Sequence, residues 1–175
     1  MEKDSLVTLD HSVLFRRSTT ATGLIMAVFV FLVDQITKFM IVHYLGLEQH
    51  GSIELLPFLS FTWTENTGVA MSLLVAHDDI GRWSIVALTV IISVAVCWLL
   101  MRTVRRPEAI AFGVILGGAI GNLTDRIRLG YVVDFIHLHL GGWSFYVFNV
   151  ADSAITFAVS TLVLFSLFRQ ASAAE

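Results

Sequence analysis

Asp134 and Asp152 stand on either side of the short segment joining the last two apolar stretches of the chain, so both fall where membrane meets water. Two carboxyl groups at such a boundary suggest acid-base chemistry at a bilayer surface. Asp134 is flanked by Val132, Val133, Phe135 and Ile136, and a carboxyl group set among apolar residues tends to hold its proton unless it is paired. Asp152 follows Asn149 at the three-residue interval of a helix cap. A carboxylate in the first turn of a helix interacts favourably with the helix dipole. That placement explains Asp152 as a helix-start residue without any chemistry, and it equally suits a base. One ionised and one protonated carboxyl group are what peptide hydrolysis by an acid pair requires.

Other polar residues lie in or beside apolar stretches, where burial in lipid is costly and each becomes a functional candidate. Asp34 and Lys38 stand four apart, share a helix face and can pair with each other toward a bundle interior. Asn122, Asp125 and Arg126 cluster at helical spacing. Asp125 beside Arg126 reads as a charge-neutralising pair, while Arg126 could equally hold a substrate carbonyl or a lipid headgroup oxygen. His137 and His139 form an H-x-H pair near Asp134. They lack the second cluster of a zinc site, so no metal is expected. H-E-x-x-H and G-x-S-x-G are both missing from the sequence, which leaves zinc and serine hydrolysis without an anchor. Cys97 is the only cysteine and reads as a small buried apolar residue rather than a disulfide partner.

The elements that must position these groups are membrane helices. Apolar residues make up 56% of the 175 positions and charged ones 14%, a balance uncommon in soluble domains. Four stretches approach the roughly 20 apolar residues that a helix needs to cross the bilayer: about 22–45, 83–101, 109–127 and 151–168. The first could be taken for a signal peptide, but it runs on through Asp34, Gln35 and Lys38 without a small-residue cleavage site and reads as a retained span. The fold expected is an all-α membrane protein, one domain over residues 1–175. It has four transmembrane helices, a small extracytoplasmic β-sheet and a short interfacial segment.

Lys3, Arg16, Arg17, Arg102, Arg105, Arg106 and Arg169, seven of the eleven basic residues, fall on one side of those spans. That side is expected to be cytoplasmic, with both termini. Segments 46–82 and 128–150 are then extracytoplasmic; the first carries Glu48, Glu54, Glu65, Asp78 and Asp79 against Arg82. The net charge of −3 implies no nucleic-acid partner. Leu59, Phe61 and Trp63 alternate with Ser60, Thr62 and Thr64, and Trp143, Phe145 and Val147 with Ser144, Tyr146 and Phe148. Both runs read as strands of a sheet on the outer surface, resting on lipid near the two aspartates.

Five ordered motifs run along this frame: Asp34-Gln-Ile-Thr-Lys38, Asn66-Thr-Gly-Val-Ala-Met-Ser-Leu-Leu74, Gly117-Gly-Ala-Ile-Gly-Asn-Leu-Thr-Asp-Arg126, Val132-Val-Asp-Phe135 and Phe148-Asn-Val-Ala-Asp-Ser-Ala154. Over nearly its whole length the chain resembles the lipoprotein signal peptidases, the type II signal peptidases of bacteria. The resemblance implies that Asp134 and Asp152 are the catalytic pair. It also implies that Asn66, Gly68, Asn122, Asp125, Arg126 and Asn149 position or contact substrate, with Asp34 and Lys38 as structural polar residues. No cofactor is implied. The substrate implied is a prolipoprotein whose cysteine already carries diacylglycerol, cut on the amino side of that cysteine. Partners implied are such precursors, membrane phospholipids and globomycin-type cyclic-peptide inhibitors, and the location is the bacterial inner membrane. Met71, where relatives often have Phe, is a small departure that alters packing. A transporter or ion-coupling subunit would use Asp34, Lys38, Asp125 and Arg126 as a relay, but the acidic pair lies at one membrane face and no inverted repeat is visible. A non-catalytic lipid-binding scaffold is a third reading.

Overall fold

The computed structural model describes residues 2–68 and 79–173, with side chains over 17–68 and 79–169. Val69 to Leu74 of the second motif, Met71 among them, and the outer-loop Asp78 lie outside the described residues, as do the side chains of Lys3 and Arg16. The elements in order are α1 (Glu2–His43), α2 (Leu47–His50), β1 (Ser52–Leu56), β2 (Leu59–Asn66), α3 (Asp79–Arg102), α4 (Arg106–Arg128), β3 (Val132–Leu140), β4 (Trp143–Ser144) and α5 (Val150–Ala173). Among the described residues, four helices carry segments long and apolar enough to cross a membrane: Arg17–His43, Asp79–Arg102, Arg106–Arg128 and Val150–Arg169. The molecule is a multi-pass membrane protein. Helix α1 starts well before its span because no Gly or Pro precedes Gly23 to break it.

Helix α4 is the hub: half of its most apolar window is buried inside the protein, against 28%, 17% and 11% for the others. Lipid offers no hydrophobic drive for helices to associate, so close van der Waals packing between small residues must hold them together. Gly113 and Gly117 supply it. A Cβ on Gly113 would lie 2.1 Å from the Gly23 carbonyl oxygen, and one on Gly117 would lie 2.3 Å from that of Ala27. One turn further on, a Cβ on Gly121 would meet Asp34 Oδ2 at 2.5 Å. The glycine stripe thus draws α1 against α4 and sets Asp34 and Lys38 opposite the polar end of α4.

Among the described residues, four strands form one antiparallel sheet in the order β1-β2-β3-β4. Its apolar face packs Val133, Phe135, Phe61 and Trp63 against Ile41 of α1 and Leu47 of α2, each fully buried side chain contributing about 1.5–3 kcal/mol. The other face carries Ser60, Thr62 and His137, whose side chains hydrogen-bond one another. The alternation of residues 59–64 is realised in β2. The Trp143–Phe148 run is different: pairing after Ser144 reduces to a single bridge between Phe148 and Ile136. With both faces largely apolar, that run has no polar face to fix a register, and the chain leaves the sheet to start α5. Strand β3, which carries Asp134, was not expected.

Candidate active site

Three local events bring the carboxyl groups together. Gly130, at a φ of 92° that favours glycine, turns the chain out of α4 and into β3. In β3, Asp134 pairs across the ladder with Thr64 of β2. Phe148 then bonds back to β3, accepting from the Phe135 and Ile136 amides at 3.1 and 2.7 Å, which sets Asn149 and the start of α5 beside Asp134. Asn149 does cap that helix. Its Oδ1 accepts from the Asp152 amide at 2.9 Å, while Asp152 Oδ2 accepts from the Asn149 amide at 3.3 Å, a reciprocal capping box.

Asn149 reaches Asp134 as well. Its Nδ2 donates to Asp134 Oδ1 at 2.6 Å and to Asn122 Oδ1 at 3.1 Å. Asn122 Nδ2 in turn donates to Asp152 Oδ1 at 2.8 Å, and Asn66 Nδ2 to Asp134 Oδ2 at 2.8 Å. Asp134 is fully buried. Burial, and then the charge of Asp152, push its pKa up to about 7, against the opposing pull of hydrogen bonds from Asn66 and Asn149 and the charge of Lys38. A carboxyl group poised there exchanges its proton near neutral pH.

Behind the pair lies a charged network. Lys38 Nζ contacts Asp34 Oδ2 at 2.9 Å, Asp125 Oδ2 at 2.8 Å and Asn122 Oδ1 at 3.0 Å. The Asp34–Lys38 pair is present, but the expected Asp125–Arg126 pairing is replaced: Asp125 pairs with Lys38 instead. Adjacent helix residues point about 100° apart and do not face each other, so Asp125 turns to α1 while Arg126 turns the other way. Arg126 donates to the Gly68 carbonyl, and Gly68 donates its amide to Asn66 Oδ1 at 3.0 Å. Among the described residues, buried Nε of Arg126 has no partner. Asp34 Oδ1 accepts from the Ala151 amide at 3.1 Å, tying the network to the first turn of α5.

Asn66, Asn122, Arg126, Asp134 and Asp152 line one cleft of about 330 Å³ between α3, α4, α5 and the sheet, with Ile92, Ile115 and Ile155 on its walls. The seven polar residues anticipated around the pair or as the pair itself, and Gly68 through its backbone, therefore fall in this cleft or its immediate hydrogen-bond surroundings. Gln35 was overlooked: its Nε2 bridges Asp34 and Asp125, at 3.1 Å each, and an amide side chain inside an apolar span was signal enough. Arg82 was overlooked too. It donates to the Arg126 and Ile127 carbonyls at 3.0 and 2.9 Å, satisfying two carbonyls at the C-terminal end of α4. His137, by contrast, is engaged with the serine and threonine hydroxyls of the sheet, Ser144 at 2.7 Å included. Among the described residues no three His, Cys, Asp or Glu side chains gather as metal ligands.

The family model for signal peptidase (SPase) II matches residues 26–168. The lipoprotein signal peptidase of Sphingopyxis alaskensis is 46% identical over 142 residues, covering 81% of this chain and 82% of that protein. That of Rhizorhabdus wittichii is 45% identical over 146 residues, 83% and 85% of the two chains. A solved bacterial membrane enzyme superposes with a TM-score of 0.75 at 31% identity, covering 89% of this chain and 92% of the other. A second reaches 0.70 at 32% identity, with 84% and 92% covered.

Proposed function

Because this chain belongs to the signal peptidase II family of aspartic peptidases, we propose that Asp134 and Asp152 are the carboxyl groups with which it cuts lipoprotein precursors. The observation that carries this reading is the shared cleft: the two carboxyl groups line it together, and Asn149 hydrogen-bonds both residues.

At rest Asp134 holds the shared proton and Asp152 is the base. Water between them gives a proton to Asp152 and attacks the scissile carbonyl carbon, while the Asp134 hydroxyl donates to the carbonyl oxygen as it gains charge. The resulting tetrahedral intermediate collapses when Asp152 passes its proton to the leaving amine and the C–N bond breaks; Asp134 keeps its proton as the carbonyl re-forms, and the new carboxylic acid of the signal peptide gives its proton to the freed cysteine amine. No covalent enzyme intermediate forms. Asn66, Asn122 and Asn149 fix the carboxyl groups, and Arg126 with Gly68 holds the substrate backbone.

The substrate is a prolipoprotein with diacylglycerol on its cysteine, cut on the amino side of that residue. An apolar signal helix and two acyl chains both stay in the bilayer, which delivers the scissile bond at the membrane face. Chain and function together form a single integral-membrane peptidase domain of the bacterial inner membrane, with cytoplasmic termini and the cleft toward the outer face; cyclic peptides of the globomycin type would occupy that cleft. Purified protein in detergent, with no ion gradient, should cleave a diacylglyceryl precursor and spare the unmodified one. Asp134→Asn and Asp152→Asn should each lower kcat by at least about 100-fold, the scale of a lost general acid or base. Near-normal cleavage by either variant refutes the pair.

A further inference from the structure

A second cavity lies at the other end of the bundle from the carboxyl pair and plays no part in the chemistry above. It is a groove of about 710 Å³ between the start of α4 and the end of α5, a size suited to a drug-sized ligand. Arg105, Arg106 and Arg169 line it. Among the described lining residues Glu108 is the acid, and it accepts from Thr103 Oγ1 at 2.7 Å and lies 3.6 Å from Arg105. The N-terminal end of α4 adds its own positive field at the same place.

Below the arginines the groove turns apolar. Phe112 on α4 and Leu162 and Phe165 on α5 line it, one to two helical turns from Arg106 and Arg169, and so face the hydrocarbon level of the membrane. A small soluble anion would use the guanidinium groups and leave these walls empty. A second copy of the chain would bring the same three arginines against each other. A ligand with a negative head and apolar tails matches both halves.

We propose that this groove holds one anionic diacyl glycerophospholipid of the leaflet at the arginine-rich helix ends. The phosphodiester sits among Arg105, Arg106 and Arg169, and an acyl chain runs between α4 and α5 over Phe112, Leu162 and Phe165. Basic pockets between membrane helices bind acidic lipid headgroups by this combination. The bound lipid pins the ends of two helices whose opposite ends carry Asn122 and Asp152.

The test is native mass spectrometry of the purified full-length protein released from neutral detergent, titrated with dioleoyl-phosphatidylglycerol or dioleoyl-phosphatidylcholine, which share their chains and differ in charge. One phosphatidylglycerol should be retained at least about 20-fold more tightly than phosphatidylcholine, since each arginine near an acidic headgroup contributes about five-fold. The R105Q/R106Q/R169Q variant should lose that preference while still cleaving precursor, its cleft being untouched. Glycerophosphoglycerol and inorganic phosphate, which lack the chains, should not displace the lipid. Equal retention of the two lipids, an unchanged preference in the variant, or displacement by inorganic phosphate would each overturn the proposal. Should the triple variant not fold, R169Q alone, in an exposed turn at the end of the α5 span, should cut the preference about five-fold, and no change there overturns it equally.

Discussion

The side-chain amide of Asn149 lies 2.6 Å from Oδ1 of Asp134 and donates to it, while the carbonyl of the same side chain accepts from the Asp152 amide. A single residue thereby caps α5 and spans the carboxyl pair.

Asn149→Ala should remove both contributions: about 1 kcal/mol of cap stability, and a hydrogen bond to a buried carboxyl group whose loss, at about 1.5–3 kcal/mol, lowers kcat roughly 10- to 100-fold if it acts in the transition state. Asn149→Ser separates the two. A serine hydroxyl caps the helix well but is too short to reach Asp134, so melting temperature should recover while kcat stays low. Recovery of both in Asn149→Ser would show that Asn149 acts through the helix alone.

The pKa of Asp134, raised from 3.8 to about 7 by burial and the charge of Asp152, makes stability depend on pH in a defined direction. Between those values the folded protein binds a proton that the unfolded chain does not, so stability falls as pH rises from about 4 to 7, by at most about 1.4 kcal/mol per unit from this pair. Melting in detergent at pH 5 and pH 8 should show the drop, and Asp134→Asn should flatten it. The same titration predicts that kcat/KM for the lipidated precursor declines above about pH 7 as the proton is lost. A profile that keeps rising to pH 9 would assign the acid elsewhere.

The four spans were legible because a bilayer accepts only backbones whose polar groups are satisfied internally, and this forces long apolar helices. Strand β2 was legible because apolar side chains alternate with hydroxyl-bearing ones from Leu59 to Thr64. Strand β3 was not: Val132, Val133, Asp134 and Phe135 are all buried, so the period of two that marks a half-exposed strand is missing where it was needed. The motif residues around Asp134 and Asp152 could be chosen by resemblance, yet the partner of Asp125 could not, because Lys38 sits on a different helix and only the crossing of α1 over α4 brings it near. That crossing was itself written in Gly113, Gly117 and Gly121, four apart, a spacing that marks a close helix contact in membranes.

Lys38→Met should be strongly destabilising, because it leaves Asp34 and Asp125 as buried carboxyl groups without their shared cation, a loss of about 3–5 kcal/mol. For a chain of this size that corresponds to a fall in melting temperature of roughly 6–20 °C. Converting both acids as well, in D34N/K38M/D125N, removes the unpaired charges and should recover much of the loss. If the triple variant melts no higher than Lys38→Met, charge balance is not what the lysine provides.

Gly117→Ala tests the crossing. On an isolated helix the change gains about 1 kcal/mol of propensity, but here the new Cβ would lie 2.3 Å from the Ala27 carbonyl oxygen, a backbone atom that cannot rotate away. Helices α1 and α4 must separate, at about 1–3 kcal/mol for an overpacked contact, and the separation pulls Lys38 from Asn122 and Asp125. Melting temperature and kcat should therefore fall together. Gly118→Ala is the comparison: its Cβ meets Ile155 Cγ1 at 2.8 Å and the Ala151 carbonyl at 3.0 Å, a looser contact partly with a side chain that can shift. If Gly117→Ala proved no worse than Gly118→Ala in both measurements, the α1–α4 crossing would not be what sets the charged network behind the carboxyl pair.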